Sequence, residues 1–250
     1  MIQTIDFERA VRDFLAREGF APPRQDETRV VLFDRRVWLA HALAAATLLD
    51  TTETQRAGRF RFAHDRTAYV LAHALWRIAL GVCLDTTAAQ VSLVSSPSGQ
   101  PRLPSTGLAT SLSHSGHWVT LAITGAVTVG VDIEQLPSRF ALDDLIPVFC
   151  TPAEAAALAA LQPSRREPHA LAFWTRKEAL LKAWGTGLAL EPNRFAALTD
   201  QSIAPPSWAP INCVAEVRDL DFGNALVGAL ALPGSAVSHR HFVTKHVTAG

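Results

Sequence analysis

The sequence predicts an α+β fold built in two halves, and three observations predict it. Helical and strand-like periodicities come in blocks, in the order helices, strands, helices, strands. The two halves share that order of elements. Of 250 residues, 48% are hydrophobic, enough to bury an ordinary core.

Phe7, Ala10, Val11, Phe14 and Leu15 recur at helical spacing, with Gly19 placed to end the helix. Pro22 and Pro23 then break the chain, and Val30 to Phe33 reads as a strand. An Ala/Leu-rich helix is expected over Val37 to Leu49. Another is expected over Asp65 to Leu80, with Leu71, Leu75 and Ile78 on its apolar side and Gly81 as its stop. Val91 to Val94, Trp118 to Thr124 and Val127 to Ile133 read as strands, joined by turn-rich segments such as Ser96-Pro97-Ser98-Gly99. Helix resumes near Leu142. Thr151-Pro152-Ala153-Glu154 has the form of a capped helix start. A longer helix is expected from Pro168 to Trp184, ending at Gly185, and strands near Phe195, Val214 and Leu226 to Leu232. His239, Arg240, His241 and His246 read as a surface tail rather than a metal patch.

The formal net charge is zero. No global field favours nucleic acid or anionic lipid, so any cationic site must be local. Cys83, Cys150 and Cys213 lie more than sixty residues apart, which argues against a disulfide framework and a zinc knuckle. Acidic residues Asp6, Glu8, Asp13 and Glu18 interrupt any signal-peptide core, and no apolar run is long enough for a membrane helix. A cytoplasmic protein is expected.

Four segments carry chemistry. In Gly130-Val131-Asp132-Ile133-Glu134, a strand would put Asp132 and Glu134 on one face, roughly 6–7 Å apart at the backbone. Such a pair is either a solvated strand end or a place for Mg²⁺, which takes oxygen ligands from one or two carboxylates plus phosphate and water. In Phe173-Trp174-Thr175-Arg176-Lys177-Glu178-Ala179-Leu180-Leu181-Lys182, Glu178 and Lys182 are helical neighbours. They read as a surface ion pair, or as a third metal oxygen and a phosphate ligand, with Lys177 a further cation. Ser111-Leu112-Ser113-His114-Ser115-Gly116 reads as a polar loop, or as a tight turn that cradles phosphate. Arg56, Arg59, Arg61 and Arg66 put four arginines within eleven positions. They read as a solvated face, or as a clamp for a multi-phosphate ligand.

In this order the segments, from about Glu53 to Phe195, resemble the surfactin-synthetase-activating (Sfp) type of 4′-phosphopantetheinyl transferase. The resemblance implies two similar α+β subdomains related by a pseudo-two-fold axis, in a monomer with its active site between them. Residues 1–126 would form the coenzyme A nucleotide side and 127–250 the metal and catalytic side. Asp132, Glu134 and Glu178 would hold Mg²⁺ against the coenzyme A pyrophosphate. Arg56, Arg59, Arg66, Ser113, His114, Lys177 and Lys182 would hold coenzyme A itself. Glu178, directly or through water, would take the proton of a serine on an apo acyl or peptidyl carrier protein, and Lys182 would stabilise the leaving phosphate. The family often has a cation where this chain has Gln100, and Arg102 is the candidate substitute. The residues alone also admit another Mg²⁺-dependent phosphodiesterase, or a non-catalytic module that binds coenzyme A or a carrier.

Overall fold

The computed structural model describes residues 2–96, 99–234 and 240–246. The chain opens with α1 (Ile2–Arg17), whose Phe7, Val11, Phe14 and Leu15 are buried on one face, and continues into strand β1 (Glu27–Asp34). The helix expected over Val37 to Leu49 is instead a 3-10 stretch, Arg35–His41, followed by the short helix α2 (Ala42–Ala46). The Asp34 carboxylate accepts from Arg36 N and holds the tight first turn, while the Thr47 hydroxyl bonds Ala44 O and closes the end. Next come α3 (Thr51–Gly58) and α4 (Ala63–Cys83). α4 runs past Gly81 and stops where Asp85 turns to a φ of 50°.

The strands that follow are β2 (Val94–Ser95), β3 (Pro101–Arg102), β4 (Ala109–Ser115), β5 (Trp118–Thr124) and β6 (Gly130–Gln135). Pro97 and Ser98 of the expected turn lie outside the described residues. The second helical block holds α5 (Leu142–Phe149), α6 (Pro152–Ala159) and α7 (Pro163–Trp184). Thr151 and Glu154 form the expected capping box, and α7 ends on left-handed Gly185. The chain closes with β7 (Ser202–Ile203), β8 (Ala215–Leu220), β9 (Leu226–Pro233) and β10 (Arg240–His246). Phe195 is not in a strand: it follows a 3-10 turn and packs its ring edge-on against Trp184, with centroids 5.5 Å apart.

Two four-stranded sheets result, in the orders β10-β1-β5-β4 and β6-β9-β8-β7. β10 pairs parallel with β1, so the segment expected as a surface tail is a sheet strand; His239 lies outside the described residues. β1 is buried on both faces. Val31 and Phe33 join the core under α1 and α4, while Val30 and Leu32 join Val131, Ile133, Leu230 and Leu232 in a core shared by the two sheets. That two-sided burial explains why Val30 to Phe33 is a continuous apolar run rather than an alternating one. A third core packs Ala179, Leu180, Ala183 and Trp184 of α7 onto β8 and β9.

Candidate active site

The site grows from β6. Val131 and Ile133 enter the shared core, so the pleat turns Asp132 and Glu134 to the opposite face, as the spacing predicts. Each carboxylate meets a serine of β4. Ser113 Oγ donates to Asp132 Oδ1 and Ser115 Oγ donates to Glu134 Oε2, both at 2.6 Å. β4 is therefore a strand through Ser115, and the tight turn begins only at Gly116.

α7 brings the other groups. It lies so close on β6 that a Cβ at Gly130 would fall 1.8 Å from Ala179 O, so only glycine permits this packing. Glu178 and Lys182, one turn apart, then face the carboxylate strand. Lys182 Nζ bonds Asp132 Oδ1 at 2.7 Å and Val131 O at 3.0 Å. Burial pushes the Glu178 pKa up to about 7, helped by the negative charges of Asp132 and Glu134 and opposed by Lys182. Burial also raises that of Glu134, against bonds from Ser115 and the Trp174 side chain.

A cavity of about 670 Å³ opens beside these residues and is lined from both halves, with Glu178, Leu181 and Lys182 on one side. On the other side stand Arg56 of α3 and Tyr69, His73 and Trp76 of α4. Tyr69 stacks on His73 with centroids 4.0 Å apart, and the Arg56 guanidinium lies 5.7 Å from the Tyr69 ring. A buried network fixes this wall. Arg77 Nε donates to Glu53 Oε2 at 2.5 Å, His73 Nδ1 lies 2.8 Å from Glu53 Oε1, and Asp50 and Glu53 cap α3 reciprocally. Arg77 is itself buried here, as a structural cation.

Several expected ligands lie elsewhere. Lys177 is fully buried on the far side of α7, where Phe149 O, Glu154 Oε2 and Pro192 O take up its three protons. It has no donor left for a ligand. Arg59 and Arg66 are exposed and do not line the cavity. The Ser113 hydroxyl is committed to Asp132 rather than turned toward an anion. His114 shares the strand face of Thr110 and Leu112 but is not itself among the cavity-lining residues; desolvation lowers its pKa, as does the nearby Lys182 charge. Arg102 lines a smaller pocket that adjoins the cavity and shares Gln100, Pro101 and Thr110 with it, and is not itself among the cavity-lining residues. Gln100 instead donates from Nε2 to Lys182 O at 2.8 Å, tying the β2–β3 hairpin to the end of α7.

Sequence reasoning missed Ser115, Trp174, Tyr69 and Gln100 as parts of this site. The alternation Ser111, Ser113, Ser115 was the available signal for the first, since a period of two marks a strand face.

Among the described residues, no three of His, Cys, Asp and Glu form a ready-made metal cluster. The donor set nonetheless suits Mg²⁺ completed by substrate phosphate. Asp132 Oδ2 is buried with no hydrogen-bond partner, an arrangement that costs free energy unless something positive meets it. Glu134 and Glu178 supply further oxygens nearby.

Comparison with known proteins agrees across both halves. Residues 38–125 match the family described as 4′-phosphopantetheinyl transferase, N-terminal, and residues 128–213 match the 4′-phosphopantetheinyl transferase superfamily. The chain is 31% identical over 192 residues to the 4′-phosphopantetheinyl transferase HetI of Nostoc sp., covering 71% of this chain and 81% of that protein. It is 28% identical over 140 residues to a 4′-phosphopantetheinyl transferase of Bacillus subtilis, covering 54% and 61% respectively. Over 181 residues it is 31% identical to a phosphopantetheinyl transferase of Thraustochytrium sp., covering 66% and 63%.

Proposed function

The chain belongs to the 4′-phosphopantetheinyl transferase family, and from that premise we propose that Asp132, Glu134, Glu178 and Lys182 carry the transfer of phosphopantetheine from coenzyme A to a carrier-protein serine. One observation carries this reading: two carboxylates of β6 converge with the Glu178–Lys182 pair of α7, and that pair lines a cavity shared by both halves.

Residues 1–126 serve mainly the nucleotide end of coenzyme A, with Arg56 placed to meet phosphate and the Tyr69–His73 stack offering an aromatic surface. Residues 127–250 supply the reacting end. Asp132, Glu134 and Glu178 would hold Mg²⁺, which when bound neutralises phosphoryl oxygens. Glu178, which lines the cavity, accepts the proton of the carrier serine. The serine oxygen bonds to the phosphorus on the phosphopantetheine side while the bond to the bridging pyrophosphate oxygen breaks. Lys182 steadies the charge that develops on the departing adenosine 3′,5′-bisphosphate.

The protein works as a cytoplasmic monomer in this reading. Its three cysteines are free, and no helix among the described residues is long and apolar enough to cross a membrane. The test is to incubate it with coenzyme A, Mg²⁺ and an apo carrier protein and weigh the carrier by mass spectrometry. A gain of one phosphopantetheine, lost in Glu178→Gln, is expected. Nucleotide release without carrier modification would point to a phosphodiesterase instead.

A further inference from the structure

Ser111, Ser113 and Ser115 occupy alternate positions of β4, and each accepts a backbone N–H from β6. Val131 N donates to Ser111 Oγ at 3.1 Å, Ile133 N to Ser113 Oγ at 3.4 Å, and Gln135 N to Ser115 Oγ at 3.0 Å. β4 and β6 are outer strands of two different sheets. Along this seam serine hydroxyls stand where a sheet would use carbonyls. Each pair is separated by 20 residues, so the strands run parallel and in register. Two of the hydroxyls also donate, Ser113 to Asp132 and Ser115 to Glu134. Each thus holds a carboxylate together with the N–H of the next residue. Ser111 meets the Gly130–Val131 step, where there is no carboxylate to hold.

We infer that Ser113 and Ser115 are positioning residues for the transfer: from one half of the molecule they fix how the acidic side chains of the other half present their free oxygens. A two-point hold by one hydroxyl ties side-chain orientation to strand register, so closing the seam and aligning the carboxylates are a single event. This rests on the proposed metal role of Asp132 and Glu134. The Ser115–Glu134 pair is the cleaner test, because Asp132 is also held by the charge of Lys182, whereas Trp174, which also bonds Glu134, is neutral. Partners that orient metal-binding carboxylates commonly change metal affinity by about 10-fold or more when removed.

The experiment titrates Mn²⁺ into the protein in the presence of coenzyme A and follows free Mn²⁺ by electron paramagnetic resonance. Ser115→Ala is expected to weaken Mn²⁺ binding by about 10-fold, and Ser115→Thr, which keeps the hydroxyl, to bind near the wild-type level. Wild-type affinity in Ser115→Ala, with weakened binding in Glu134→Gln, overturns the positioning role alone. Wild-type affinity in Glu134→Gln overturns the metal-ligand reading beneath it. A merely structural role lowers the melting temperature of Ser115→Ala and leaves Mn²⁺ affinity unmoved, which also overturns the inference. Should Ser115→Ala fail to fold, Ser115→Cys, a weaker donor of similar size, takes its place. An intermediate loss of affinity then supports the inference, and no loss overturns it.

Discussion

Lys182 and Asp132 lie 50 residues apart in the chain, yet the lysine Nζ sits 2.7 Å from Asp132 Oδ1. The contact joins α7 to β6 at the point where the carboxylates converge. Lys182→Met is expected to leave Asp132 without its cation and to lower stability by about 2 kcal/mol, less than a fully buried pair because the lysine is partly open. Carrier modification should fall by about 100-fold or more in the same variant. Urea unfolding and a mass-spectrometric rate assay check the two parts separately.

Glu178 makes stability depend on pH. Its pKa rises from 4.5 to about 7 on folding, so the folded state favours the protonated carboxyl. The resulting penalty is absent below pH 4.5, grows as pH rises through that window, and is complete above about 7. Glu178→Gln removes it. With chelator present, the variant is expected to match the wild type near pH 4 and to exceed it by about 3 kcal/mol at pH 8. Denaturant unfolding at both values is the measurement, and an equal difference at both would refute the assignment.

Gly130 sets the spacing between β6 and α7. In Gly130→Ala the new methyl would lie 1.8 Å from a backbone oxygen that no side-chain rotation can move. α7 must shift, at an expected cost of about 3 kcal/mol. The shift also separates Glu178 from Asp132, and a displacement of about 1 Å can reduce a rate by about 100-fold. Residual activity of the folded variant close to the wild type would contradict this.

Lys177 is a structural cation. Lys177→Met strands Glu154 and two carbonyls in the interior, with an expected loss of about 4 kcal/mol. The KM for coenzyme A of the molecules that fold should not change. A raised KM with little loss of stability would instead restore the lysine to the ligand set.

Arg56 and Arg66 separate the cavity from the open surface. Arg56→Ala is expected to raise the KM for coenzyme A by about tenfold, as loss of a charge-assisted bond would. Arg66→Ala, on the exposed start of α4, should leave it within about twofold. Steady-state kinetics with varied coenzyme A distinguishes them.

The α+β class, most of the helices and strands, and the shared face of Asp132 and Glu134 were legible in the order of residues alone. These follow from local periodicity, which needs no knowledge of neighbours. The sequence also held more than was read from it. At about 100° per residue, Lys182 shares the Glu178 face of α7 and Lys177 does not. Long-range packing was needed to show which arginine lines the cavity, that Ser115 lies on a strand and meets Glu134, and that Gln100 reaches Lys182 O. It also decided that the last strand returns to pair with β1. Each of these depends on groups 19 or more residues apart meeting in space, and whether a charge faces solvent, a partner or a cavity is fixed by that packing rather than by its own segment.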